Sequence, residues 1–351
     1  MNMKFNNKLI ALALGAMSLS FAACDNQDIE FPDHQDGIAV YFPYQKPVRT
    51  LVLGTDEVDT QLDKQHKCKI SATMGGSVRG RDVVVTVAID PTLVQNVTDE
   101  AGNPIKVMPA EYYSLSSDKL FFNGGLTGSI EVQLTDAFFA DPLSVANSYV
   151  IPLVMTNQIG ADRVLTGEYE GETAPARLNG EAWKELPKDY VLYCVKYKSK
   201  YDAYFSRCGK YTVDGKTVQI PDESSAKYEG HFDPVVDGAD CNTQTISLNE
   251  VKYNVNKSVE GVEIVCDLKL TFDGSDNCSI SSMTEGVTVT GSGKFTPNGA
   301  IKAWGDKDRD LLTLDFTVTK DGKSIKCVES LVWKRSGVPS IEEFATKYVA
   351  Q

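Results

Sequence analysis

Asp306, Asp308 and Asp310 alternate as the first ligands of a calcium loop do. Such a loop then needs glycine at its sixth place, to turn the chain, and glutamate at its twelfth, to close the coordination sphere. Leu311 and Thr317 stand there, so the sequence predicts a charged hairpin turn with Lys307 and Arg309 pairing locally. No Gly-x-Ser-x-Gly elbow offers a nucleophile. His34, His66 and His231 are scattered, and no Cys-x-x-Cys pair is present, so no metal site and no cofactor are expected. Glycosidase chemistry needs only two placed carboxylates. With 48 acids in the chain, chance pairs are inevitable and none marks a catalytic site. No catalytic residue is assigned, and the chain is not expected to be an enzyme.

The remaining chemistry is aromatic. Tryptophan faces suit the C–H surface of a pyranose, and a ring with two torsions is cheap to order. Trp304 stands beside Gly305 and the charged turn, Trp183 in a Gly- and Glu-rich stretch, and Trp333 in an apolar strand that reads as core. Tyr201 and Tyr204, with Phe205 and near Lys198 and Lys200, form a second aromatic cluster. Trp304, Trp183, Tyr201 and Tyr204 are therefore the candidate ligand-binding residues.

The chain begins with an export pattern: Lys4 and Lys8, an apolar run from Leu9 to Met17 too short to span a bilayer, then Ala22-Ala23. Phe21-Ala22-Ala23-Cys24 resembles the bacterial lipoprotein box, with Phe21 where the box prefers Leu, Val or Ile. That resemblance implies a signal peptide over residues 1–23 and a diacylglycerol on Cys24, whose several acyl chains anchor stably. The acidic stretch from Asp25 to Glu30 resembles the surface-export signal of Bacteroidetes lipoproteins, which implies a lipidated tether over 24–35 on the outer membrane, facing outward. The formal charge is -13, and losing two lysines and no acid with the signal makes it -15. Nucleic acid and anionic lipid surfaces need basic patches and are not expected partners. Of eight cysteines, six lie between Cys194 and Cys327. They permit three disulfides in fifteen pairings or a set of buried free thiols, and spacing does not choose.

These residues need rigid elements behind them, and the pattern is of strands. Ile38 to Phe42, Asp82 to Ile89 and Thr127 to Leu134 alternate apolar with polar or run rich in valine. Pro152, within Tyr149 to Thr156, suggests an edge or a bulge because proline donates no N–H. Seven or so short strands over 36–167 predict an immunoglobulin-like β-sandwich. Residues 168–188 lose the alternation and read as a linker. From 189 long strands resume, best seen in Val262 to Phe272, and Asp321-Gly322 marks a hairpin. Residues 189–351 thus predict an antiparallel β-barrel. Ser340 and Glu343 after Pro339 form a capping box that predicts a short terminal helix to about Tyr348.

Four ordered blocks of the first half carry a resemblance: Tyr41 to Leu51, Glu111-Tyr112-Tyr113, Leu134 to Asp141, and Tyr149 to Leu153. They are similar to the N-terminal domain of Bacteroidetes surface lipoproteins of unassigned function, where it precedes chitinase-like endo-glycosidase barrels or non-catalytic glycan-utilisation modules. The second half, through Tyr190 to Tyr197, Gly291 to Phe295, Trp304 to Asp310 and Leu331 to Arg335, resembles a lipocalin-like domain of unknown function that accompanies the first. No Asp-x-x-Asp-x-Asp-x-Glu run is present, so the chitinase-like machinery is absent. The resemblance implies a non-catalytic surface lipoprotein that binds glycans beside an outer-membrane transporter. The alternative is an adhesin or structural protein that contacts other proteins.

Overall fold

The computed structural model describes residues 34–77, 80–220, 238–303 and 306–349. The signal segment, Cys24 and Trp304 lie outside the described residues. The first domain runs β1 (Ala39–Tyr41), β2 (Val48–Val52), β3 (Lys67–Gly75), β4 (Val84–Ile89), β5 (Val97–Thr98), β6 (Lys106–Val107), β7 (Tyr113–Leu115), β8 (Lys119–Phe121), β9 (Thr127–Leu134), β10 (Tyr149–Ile159), β11 (Arg163–Val164) and β12 (Tyr190–Lys198). One hydrogen-bonded path, β11-β1-β3-β9-β8-β4-β10-β12-β2, folds over a single core. Ile70 and Ala72 of β3, Ile130 and Val132 of β9, Val85 of β4 and Leu153 of β10 meet there, so the domain is the expected sandwich. Three pairings are parallel, β1 with β11, β6 with β10 and β2 with β12, which period-2 patterning does not reveal.

Strand β12 corrects the domain boundary. It pairs antiparallel with β10 and parallel with β2, so it belongs to the first sheet and the second domain does not begin at 189. Both of its faces are buried. Val191, Tyr193, Val195 and Tyr197 enter the main core, and Tyr190, Leu192 and Cys194 enter a smaller cluster with Leu93, Val150 and Phe344. Pro152 is likewise central, between β4 and β12, and not at an edge. Its carbonyl accepts from Asp90 N beyond the end of β4, on the side where its missing N–H opposes no strand partner.

The second domain runs β13 (Tyr204–Val213), β14 (Lys216–Ile220), β15 (Ala239–Ser247), β16 (Glu250–Val259), β17 (Val262–Phe272), β18 (Asn277–Ser282), β19 (Val287–Ala300), β20 (Arg309–Lys320) and β21 (Lys323–Arg335). Strand β21 returns to pair with β13 from Tyr204↔Arg335 to Thr212↔Lys326. This closes an eight-stranded antiparallel barrel of β13 and β15 to β21, with β14 as an extra strand on β13. Closure removes the open edges that would otherwise invite another strand.

The terminal helix is not formed. Residues after Arg335 run extended over the first domain. Glu343 bridges to Pro47, Phe344 N donates to Lys46 O, and β22 (Lys347–Tyr348) pairs with β5. Phe344 is 8% exposed in the smaller cluster, and docking this ring overrides the local capping preference. All seven cysteines among the described residues are free thiols, and five are buried.

The barrel core holds a polar network. Lys257 Nζ lies 2.5 Å from Glu329 Oε1 and donates to Tyr211 OH at 2.9 Å. Tyr211 OH donates to Glu329 Oε1 at 2.6 Å and Tyr253 OH to Oε2 at 2.8 Å. Arg207 reaches Tyr253 OH at 3.2 Å. Burial holds the Lys257 ammonium below the usual lysine range, against the pull of Glu329. In the first domain Asp141 accepts from Tyr149 OH (2.6 Å), Tyr112 OH (2.9 Å) and Leu143 N (2.8 Å). Burial pushes its carboxyl up, but these donors outweigh it and hold the group below the usual range.

Two outcomes are expected. Lys257→Met leaves Glu329 buried and uncompensated, and denaturant unfolding at neutral pH should show a loss of about 3–5 kcal/mol. Lys257→Met with Glu329→Leu should lose less than the single variant. Because the folded pKa of Asp141 is depressed, its stabilisation is present above the unfolded value and drains away as pH falls below about 4. Unfolding titrations from neutral to acid pH should find a shallower acid limb in Asp141→Asn.

Candidate functional site

The stretch expected to be a linker is an ordered arm of the first domain. Lys188 N donates to Leu165 O at 2.8 Å at its foot. Farther along, Glu168 and Glu185 exchange backbone hydrogen bonds at 2.9 and 3.0 Å. Arg177 grips the buried Asp189 at the start of β12 through Nε and Nη2, the latter at 2.8 Å. The carboxylate in turn holds the arm's return to the sheet.

Trp183 stands on this arm. Its indole N–H donates to Ala176 O at 3.0 Å, one residue before Arg177. Tyr169 meets the indole edge-to-face, with centroids 5.4 Å apart and planes at 81°. Gly167 lies against the ring at φ +79°, and a Cβ there would come within 2.9 Å of the indole. The ring is half-buried and its orientation is fixed from three directions, while Tyr169 is 38% exposed.

The other sequence candidates part company. Tyr201 is 1% exposed and lies flat on Phe272 at 3.6 Å, with its OH donating to Asp276 at 2.7 Å. It is barrel core, since the apolar ring is better satisfied inside than on a surface, and it cannot be a ligand platform. Tyr204 is exposed at the joint between the domains, with Arg335 stacked 4.7 Å from its centroid and Gly337 pressed against its edge. Trp333 is buried as expected. Asp308 accepts from Lys302 N and closes the turn. Asp310 accepts from Thr55 Oγ1 (2.7 Å) across the joint and from Asn298 N (2.9 Å). Among the described residues no three His, Cys, Asp or Glu side chains converge as metal ligands.

Two concavities flank the arm and the joint. A crevice of about 290 Å³ between the domains is lined by Lys196, Lys198, Asp202 and Glu342. Its charges are tied to one another: Lys196 to Glu342 at 2.8 Å, Lys198 to Asp202 at 3.0 Å and to Ser336 O at 2.6 Å. That pattern is a joint's. The other, about 250 Å³, opens at the foot of the arm between Tyr41, Gly75, Gly76, Arg163, Leu165 and Lys188. Sequence reading missed it. Tyr41 alternates outward between the buried Val40 and Phe42, but nothing local brings Lys188 beside it.

A family described as a domain of unknown function, DUF5627, matches residues 200–337, and an N-terminal domain family matches residues 32–162. A crystal structure of a Bacteroides ovatus protein of unknown function is 34% identical, with a TM-score of 0.78, over 90% of this chain and 100% of that one. A second B. ovatus structure, described as a "putative carbohydrate binding protein", is 13% identical over 87% of this chain and 98% of that one, at a TM-score of 0.27. A two-domain Bacteroides fragilis protein of unknown function is 12% identical over 94% and 93%, at 0.28. Neither of the last two bears on fold or function. No curated protein matches. At 34% identity over the full length of the first of these structures, with matched domains in the same order, the chain belongs to a Bacteroidetes protein family of unknown function.

Proposed function

We infer that this protein is a non-catalytic, glycan-binding surface lipoprotein. In this reading the Cys24 lipid holds it on the outer face of the outer membrane, beside a transporter that takes up what it captures. The observation that carries the binding function is the Trp183–Tyr169 pair. A half-exposed indole, oriented by a hydrogen bond, a perpendicular ring and a glycine, presents an apolar face without an ordering cost on binding. Glutamates 168 and 185 beside it supply the acceptors that sugar hydroxyls need. The reading without catalysis is supported by the carboxylates at the joint, which are engaged with the fold's own lysines, serine and threonine.

A second reading, protein contact, has one observation in its favour. Ile159, Val84 and Phe121 align across β10, β4 and β8 on the outward face, and Ile159 and Phe121 are 66% and 47% exposed. An apolar row of that kind suits a protein partner.

Two results are expected from residues 25–351. In calorimetric titration against host, mucin and plant oligosaccharides, at least one glycan class should bind saturably. Trp183→Ala should weaken it at least tenfold, about 1.4 kcal/mol. Binding indifferent to Trp183→Ala and Tyr169→Ala would remove the arm as the site, and a folded protein that binds no glycan would favour protein contact. Arg177→Ala leaves the buried Asp189 carboxylate without its partner and, with Arg177 itself partly exposed, should cost about 1–3 kcal/mol in denaturant unfolding. It should also raise hydrogen exchange across 165–188 and weaken the same glycan.

A further inference from the structure

The geometry points to the cavity at the foot of the arm as a subsite for an acidic sugar, one carrying a carboxylate or sulfate, recognised by the Tyr41 ring and the Lys188 ammonium. This rests on the glycan-binding reading and names the class of sugar.

Glycine backbone forms part of the cavity wall. Gly37 and Gly76 have φ of +72° and +93°, and a Cβ on Gly76 would strike Gly37 O at 2.2 Å, so the two turns touch directly. A Cβ on Gly75 would come to 3.5 Å from the Tyr41 ring. Glycine at that position leaves the ring uncovered on the side facing the cavity. Pockets for drug-sized ligands start at about 300 Å³. A volume of about 250 Å³ therefore takes one sugar ring and not an extended ligand.

Charge decides which ring. The chain carries -13, yet the basic side chains lining this cavity are Lys188, Arg163 and His34, and among the described residues no Asp or Glu lines it. Arg163 and His34 both lean on Asp36, at 3.7 and 3.5 Å. Asp162, beside Gly37, accepts from Ile38 N at 2.6 Å. Lys188 is exposed, lies 5.5 Å from the Tyr41 centroid, and has no carboxylate partner among the described residues. A ligand anion can take that place, with its C–H face on Tyr41 and Arg163 at the rim.

The cavity and the aromatic pair share one element. Leu165 and Lys188 face each other at the foot, and Tyr169 lies four residues up the same arm. A fully extended chain covers at most about 3.6 Å per residue, so four residues separate them by no more than roughly 14 Å, within reach of one short oligosaccharide.

The test is titration of residues 25–351 with matched pairs. Trigalacturonate against its methyl ester reports a carboxylate, and a chondroitin disaccharide with and without sulfate reports a sulfate ester. The acidic member of at least one pair should bind at least fivefold tighter, with the preference shrinking as salt is raised. Lys188→Met should abolish the preference and Lys188→Arg restore it, while Trp183→Ala weakens both members alike. Lys188 is exposed, so thermal unfolding should be unchanged in both of its variants. Equal binding of acidic and neutral members, still sensitive to Trp183→Ala, would overturn the acidic subsite and leave the glycan reading standing. A preference that survives Lys188→Met would overturn it too. Binding of none of these probes, by a protein that binds other glycans, would remove the subsite alone, and binding of no glycan at all would remove both.

Discussion

Strand β12 is the constraint on which the rest of the molecule depends. It supplies backbone partners to β10 on one side and β2 on the other, and it buries side chains on both faces. A strand buried twice over must be apolar at nearly every position, and Tyr190 to Val195 is. The arm and the joint hang from its two ends. Asp189, at its start, anchors Arg177 and thereby the arm. Lys196 and Lys198, at its end, pair across the joint, and Ser199 bonds to Thr245 and Leu248 before the barrel begins.

The two domains are consequently joined by more than a covalent link. Ser336 Oγ donates to Asp56 at 2.6 Å, and Thr55 donates to Asp310. The tail beyond the barrel returns to lay Phe344 on β12 and to pair with β5. These contacts consume the charged groups of the crevice. A cleft whose lysines and carboxylates already neutralise one another has little left for a ligand. The foot of the arm differs because its lysine lies over an aromatic ring and not beside an acid. That distinction between spent and unspent charge separates the two concavities better than their size does.

The barrel shows the same economy inside. Glu329 sits at the centre of a network in which each polar atom has a partner, and low dielectric makes such a network worth more together than in parts. The interior carries Tyr211, Tyr253, Phe205, Phe316 and Trp333 as packed bulk. That bulk makes the barrel interior a packed core.

Period-2 patterning made the strands legible, and with them the sandwich and the barrel, because half-buried strands must alternate wherever one face meets water. Val262 to Phe272 and Asp321-Gly322 fell where they were expected for that reason. The sequence also determined that Trp333 is core and that Asp306 and Asp308 lie in a turn, since both follow from near neighbours, whereas Asp310 already belongs to β20. What it left to tertiary structure was every choice made between distant segments. The capping box at Ser340 competed with a pocket for Phe344 and lost. Tyr201 and Tyr204 are three residues apart and alike in composition, yet one plugs the barrel and the other stays outside, because burial depends on what packs from afar. Lys188 and Tyr41 are separated by most of a domain, and only sheet closure through β1, β11 and the arm brings them together. Local chemistry determines what an element is, and long-range packing decides which of its side chains remain available.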